Sequence, residues 1–272
     1  MIRKILSLIC IVMGTSLLAV NIYGLFQDVR PSIIETEPLR FPNDLSLNYE
    51  QAMKHIEALP DEDHSQYAIR MTDVISQSLA HIHWNEEYDV TRYNQLIPIW
   101  ENYFLYFMGK YSGIPEYEKY HYANYQRSLK RGIGICGDAS MVMSQLFDQQ
   151  GIPNQILSFP GHVIVTAEID GEEKLFDPDF GVTLPYSPAE IKDSPTQIYQ
   201  HYIDKGYSLR EIKGLMRAYE LGYQRWDGVK HFITNKYYFE KVAYVLKWPF
   251  PIIIMIIGFA LLLSKNKTKK HK

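Results

Sequence analysis

Hydrophobic positions along the chain keep three rhythms. The first is unbroken. Ile5 to Phe26, ILSLICIVMGTSLLAVNIYGLF, runs 22 residues without a charge, long enough as a helix to cross about 30 Å of hydrocarbon. Trp248 to Leu263, WPFPIIIMIIGFALLL, is a shorter run that opens on a Trp suited to a membrane interface. The second rhythm is helical. In DLSLNYEQAMKHIEALP and HSQYAIRMTDVISQSLAHIHW apolar residues recur at intervals of three and four, as at Ile69, Val74, Ile75, Leu79 and Ile82, which predicts amphipathic helices. Asp44 or Ser46 is placed to cap the first of them. The same spacing returns at Ala139, Val142, Met143, Leu146 and Phe147, ending at Gly151 and Pro153. It returns again from SPAEIKD to SLREIKGLMRAYELGYQRW, where Ser208 and Glu211 match a capping box. The third rhythm is extended. NQILSF and HVIVTAEI are rich in β-branched residues, and Asp170-Gly171 between two apolar runs predicts a type I′ hairpin. PIWENYFLYFMGKY is apolar and aromatic but too short to cross a membrane, and is expected as a buried helix under the site. Helices, then a helix feeding an antiparallel sheet, then helices again make the fold class α+β.

Charge adds a topology. Arg3 and Lys4 precede the first span, and Lys265, Lys267, Lys269, Lys270 and Lys272 follow the second, so the positive-inside rule puts both termini in the cytoplasm. The expected organisation is a cytoplasmic N-terminus (1–4), a membrane helix (5–26), a proline-containing extended linker (27–44), an extracytoplasmic domain (45–245), a second membrane helix (246–263) and a basic cytoplasmic tail (264–272). The N-terminal run is long and lacks a small-x-small cleavage site, so it reads as an uncleaved anchor in preference to a signal peptide. A net charge of -3 and a pI near 6.3 leave no basic footprint for nucleic acid.

The two cysteines then become informative. Ile9 before Cys10 is a poor match to a lipidation site, and Cys10 reads as an apolar thiol within the span. Cys136 is therefore the single thiol outside the membrane, without an intrachain disulfide partner. It stands among Gly132, Gly134 and Gly137 at the start of a predicted helix. There, unpaired amides and the positive end of the dipole favour thiolate and could hold an oxyanion. A thiolate nucleophile needs a base, and the base an orienting group. His162 opens one predicted strand and Asp177 closes the next, so the hairpin brings their ends roughly level. Cys136, His162 and Asp177 are the candidate nucleophile, base and orienter. His81 and His83, two apart on a predicted helix, point to different faces and read as structural. Tyr111, Tyr117, Tyr120, Tyr122 and Tyr125 are candidates for a groove wall or an oxyanion donor, and Asp179 reads as a turn residue.

GICGDASMVMSQLFDQQGIP, then GHVIVTAEIDG, then LFDPDFG, together resemble the transglutaminase-like superfamily over roughly residues 120–185. The resemblance implies a papain-related core in which Cys136 begins a helix and His162 and Asp177 lie on the following sheet. It implies roles of nucleophile, general base and imidazole-holding residue for the three. Ile164 departs from the aromatic residue that members often carry two positions after the His. The function expected is that of a membrane-anchored extracytoplasmic cysteine enzyme, cleaving or transferring an amide or ester acyl group through a thioester. The partners expected are a peptide or protein substrate, envelope or polysaccharide machinery and membrane lipid, with no metal or organic cofactor. The alternative is a catalytically inactive relative that uses the same groove to bind a peptide or glycan within a larger assembly.

Overall fold

A computed structural model of the chain describes residues 1–35, 39, 41, 43–82 and 96–264. Among them the elements run α1 (Ile2–Gly24), a 3-10 turn (Ser32–Glu35), α2 (Tyr49–His55), α3 (His64–Ser78), β1 (Ala80–His81), α4 (Tyr103–Tyr111), α5 (Pro115–Lys119), α6 (Tyr125–Arg131), β2 (Ile133–Gly134) and α7 (Cys136–Gln149). There follow β3 (Asn154–Phe159), β4 (His162–Ile169), β5 (Glu172–Asp177), β6 (Val182–Leu184), α8 (Pro188–Asp193), a second 3-10 turn (Pro195–Ile198), α9 (Tyr199–Asp204), α10 (Leu209–Glu220), β7 (Gln224–Trp226), α11 (Gly228–Phe232), α12 (Thr234–Leu246) and α13 (Pro249–Leu263). The chain divides into two compact units, Met1–Val29 with Leu96–Ile114 and Phe239–Lys272, and Arg30–Gln95 with Pro115–Tyr238.

In the first unit α1 is long and apolar enough to cross a membrane, while α12 and α13 pass the same test only as a pair bent by 54°. Most of α1 is exposed, and the residues it buries are Ser7, Gly14 and Asn21, seven apart on one face. They are the small and polar positions of the run, and each meets α13 or the turn before it. Ser7 Oγ donates to the Gly258 carbonyl at 2.7 Å, and Asn21 Nδ2 donates to the Lys247 carbonyl at 2.7 Å. A Cβ on Gly14 would lie 2.5 Å from Met255 Cγ and 2.7 Å from the Pro251 carbonyl oxygen. Small side chains let helices approach closely and polar ones join them where apolar surface gives no preference. The pairing is antiparallel. The aromatic stretch ending in α4, expected beneath the site, belongs to this unit instead. Tyr103 donates to the Lys247 carbonyl at 3.0 Å and the Phe104 ring lies 5.2 Å from that of Phe250.

The second unit is a five-stranded antiparallel sheet in the order β6-β5-β4-β3-β7, with helices on both faces. Alternate residues of a strand point to opposite faces. Val165, Ala167 and Phe176 pack on Val142, Leu146 and Phe147 of α7 and on Met71 and Ile75 of α3. On the other face Leu157, Ile164 and Leu175 pack on Tyr202 of α9 and on Ile212 and Tyr219 of α10. With both faces covered, β4 reads as a nearly continuous apolar run. Asp170 and Gly171 take φ of 57° and 79°, the left-handed pair that a type I′ turn requires, and set Ile169 opposite Glu172. Ser208 and Glu211 form the expected capping box. The first helix after the span is capped by Asn48, neither Asp44 nor Ser46, since the Asn48 carboxamide accepts from the Gln51 amide while Gln51 reaches back. The stretch 27–44, expected as an extended linker, supplies Phe41 and Asp44 to the interior of this unit.

Candidate functional site

Three local devices aim Cys136. Gly132 ends α6 in the left-handed conformation, with φ of 69°. Ile133 and Gly134 then pair in parallel with Ala80 and His81. The Asp138 carboxylate accepts from the Ile135 amide at 3.1 Å and from the His121 amide at 3.0 Å, closing the turn onto α7. Cys136 is the first residue of that helix. The first amides of a helix lack the partners that later turns supply; of these, the Asp138 and Ala139 amides donate to the Ile135 carbonyl at 2.8 and 3.2 Å. The glycines serve close approach: a Cβ on Gly137 would come within 2.3 Å of the Tyr120 ring, and one on Gly134 within 2.8 Å of Asp138 Cβ.

His162 opens β4. The last β4–β5 pair is Val165 with Phe176, so continuing the register sets Ile164 opposite Asp177 and makes His162 and Asp177 a diagonal pair, not a level one. The side chains still meet: His162 Nε2 lies 2.7 Å from Asp177 Oδ2. Asp177 is fully buried and its remaining capacity is filled by Tyr202 Oη at 2.6 Å and by the amides of Asp179 and Phe180 at 3.2 and 3.3 Å. Tyr202 in turn shares a hydrogen bond with Tyr219 at 3.1 Å. A carboxylate held by this many donors fixes the His162 ring through Nε2 and leaves Nδ1 free of it, with the Cys136 sulfur within 4.8 Å of a ring nitrogen. The structure thus brings Cys136, His162 and Asp177 together.

The electrostatics differ from the sequence expectation. Burial pushes the Cys136 thiol up, while the hydrogen bond and charge of His162 pull it back and the carboxylates of Asp179 and Asp177 oppose thiolate. The net direction is upward, so the helix start alone does not make a thiolate. Burial disfavours the charged His162, but the charge and hydrogen bond of Asp177, aided by Cys136, outweigh it and hold the imidazole well above its usual value. Proton transfer from thiol to imidazole therefore has a strong acceptor. Burial also raises the Asp179 carboxyl against the opposing pull of His81.

Residues that sequence reasoning passed over complete the arrangement. His81 lies in β1, not on a helix, and His83 lies outside the described residues. His81 Nδ1 sits 2.5 Å from Asp44 Oδ1, and Asp44 Oδ2 accepts the His81 amide at 3.0 Å. Its Nε2 donates to the Asp179 carbonyl and lies 3.3 Å from the Asp179 carboxylate. Phe180 is wedged between the two imidazoles, its ring 5.9 Å from His81 and 5.6 Å from His162. Asp179 is thus more than a turn residue: it joins a buried Asp44–His81 pair to the Cys136–His162 pair. The signal available in the sequence was HIHW, where the β-branched Ile82 beside His81 competes with the helical spacing.

Cys136, His162 and Asp179 open into a cleft of about 500 Å³ walled by Tyr120, Phe159 and Leu215. No family model matches the chain, and neither a curated protein nor a solved structure matches it. The chemistry of the site is therefore argued from its geometry. Donor atoms of Cys136, His162 and Asp179 lie within 4.8 Å of one another, the group among the described residues with the residue types to hold a metal ion. Of the tyrosines named from sequence, Tyr120 faces the cleft, Tyr117 and Tyr122 are buried, Tyr125 packs on the core and Tyr111 belongs to the other unit.

Proposed function

We propose that the chain is a membrane-anchored cysteine enzyme of the transglutaminase-like kind, with a papain-like core, acting outside the cytoplasm on an amide or ester carbonyl of a peptide or protein. The observation that carries this reading is the placing of Cys136, its sulfur within 4.8 Å of a His162 ring nitrogen, beside an imidazole that is hydrogen-bonded to the buried Asp177. His162 Nδ1 takes the thiol proton as sulfur attacks the carbonyl carbon. The C–S bond forms and the carbonyl oxygen becomes an oxyanion facing the amides at the start of α7. The imidazolium returns its proton to the leaving amine or alcohol as that bond breaks, leaving a thioester. Water completes hydrolysis, or an amine completes transfer, with His162 taking the attacking proton and sulfur leaving. Asp177 holds the ring throughout.

Two features support anchoring by both ends. The antiparallel pairing of α1 with α13 sets Arg3 and Lys4 at the same end as Ser264, after which the lysine tail follows, and basic residues favour the cytoplasmic side. Contact along the length of α1 supports reading α13 as its partner span. The rival reading, a binding protein without catalysis, is favoured by the upward push on the Cys136 thiol.

The discriminating measurement is the pH profile of Cys136 alkylation in a Cys10→Ser chain. An enzyme gives a reactive shoulder at and below neutral pH, and His162→Ala removes it. A single titration near 8.5, the value of an ordinary thiol, unchanged by His162→Ala, would mean that the site is not a catalytic pair.

A further inference from the structure

The aromatic helix α4 has two faces with different partners. Its inner side meets the end of the helix pair remote from Arg3 and Lys4. Tyr103 donates to the Lys247 carbonyl and Phe104 packs on Phe250, while in the turn before α4 the Trp100 carbonyl oxygen would lie 2.3 Å from a Cβ on Gly24. The outer side carries Phe107 and Tyr111, 46% and 69% exposed, with rings stacked at 6.0 Å. Lys110 stands beside them, its ammonium 5.4 and 5.5 Å from the rings of Tyr106 and Tyr111. Two large aromatics and a lysine share the open face of this nine-residue helix, which is too short to cross a membrane. They fit the boundary between hydrocarbon and water, where aromatic rings sit at headgroup level and a lysine lays its stem on apolar surface and its charge among phosphates.

We propose that α4 is an interfacial helix whose outer face binds lipid in the leaflet opposite the lysine tail, with Phe107 and Tyr111 reaching into the headgroup and upper acyl region and Lys110 pairing with headgroup phosphate. This rests on the reading of α1 and α13 as membrane spans. Lipid is favoured over a protein partner by continuity. At the end of the pair that α4 meets through Tyr103 and Phe104, apolar residues are exposed as well, Ile22 and Tyr23 of α1 and Ile252 and Ile253 of α13. The charge on the outer face, Lys110, has the sign that phosphate attracts.

The test uses the full chain in vesicles of phosphatidylcholine and phosphatidylglycerol. Single cysteines are placed in a Cys10→Ser, Cys136→Ser background at Phe107, Tyr111, Val12 and Lys205 and labelled with an environment-sensitive fluorophore. Lipids carrying a nitroxide near the headgroup or deep in the chain report depth, and iodide reports water. Labels at 107 and 111 are expected to be quenched more by the shallow nitroxide than by the deep one and to be several-fold less accessible to iodide than the label at 205. Iodide access equal to that at 205 overturns the proposal, and so does shielding from iodide without lipid quenching, which would mean that protein covers the face. Val12, on the exposed side of α1, separates the two readings: if its label escapes the deep nitroxide, the membrane-span reading itself fails. Both Phe107 and Tyr111 are exposed, so neither substitution removes a core contact.

Discussion

Gly137→Ala tests how Cys136 is held. A Cβ at this position would sit 2.3 Å from Tyr120 Cε1, 3.0 Å from Cζ and 3.2 Å from Cδ1. Carbon atoms rest about 3.5–4.0 Å apart, so the ring must retreat by more than about 1 Å. It is backed by Phe232, with centroids 5.3 Å apart, in the same cluster that Cys136 packs against. Forcing a well-packed ring aside costs about 1–3 kcal/mol, whereas Ala for Gly in a helix gains up to about 1 kcal/mol. Overpacking wins, and the variant is expected to lose about 1 kcal/mol, with a changed rate of Cys136 alkylation because the cleft wall has moved. In a Tyr120→Ala background the clash is gone and Gly137→Ala becomes stabilising by up to about 1 kcal/mol. Chemical denaturation of the four chains in detergent micelles closes a double-mutant cycle. A stabilising Gly137→Ala in the wild-type background, or effects that add to within about 0.5 kcal/mol, would refute the argument that Gly137 is there for the ring.

Removing one member of the buried Asp44–His81 pair leaves the other without its main partner, and His81→Ala is expected to destabilise the second unit by about 3 kcal/mol. Asp44→Ala in that background should then cost much less than it does alone, as a denaturation cycle will measure. The raised imidazole of His162 sets a pH dependence. Folding favours its protonated form, so this contribution is fully present below about 6.5, the unfolded value, and is lost as pH rises through the higher folded value. Stability of the wild-type chain should fall across that interval, and His162→Gln should flatten the decline. Equal slopes in the two chains would contradict the assigned charge balance.

What the sequence made legible was whatever local patterning controls. Helix α7 follows from Val142, Met143, Leu146 and Phe147, and the β4–β5 hairpin from Asp170-Gly171, because short-range sterics decide both. Hence Cys136, His162 and Asp177 could be named together. The surroundings of that trio were hidden because they arrive from far along the chain. Asp44 stands in a proline-containing stretch that reads as a linker, and only the β1–β2 pairing carries His81 beside Asp179, 98 residues away. Tyr202 looks like any other apolar-face tyrosine until α9 sets its hydroxyl on Asp177. The fall in thiol pKa anticipated from the helix start was outweighed by burial, which a linear pattern does not report. The N-terminal apolar run carried a further signal: Ser7, Gly14 and Asn21 recur every seven residues, which marks a helix seam within an otherwise uniform run.

That seam bears on how the protein is made. Ser7 and Asn21 precede their partners Gly258 and Lys247 by 251 and 226 residues. Until α13 has been synthesised, these two polar side chains of α1 lack the carbonyl partners they have in the fold. A product truncated before α13 would therefore leave the polar face of α1 open, so that this helix pair closes only when chain from both sides of the long insertion is present.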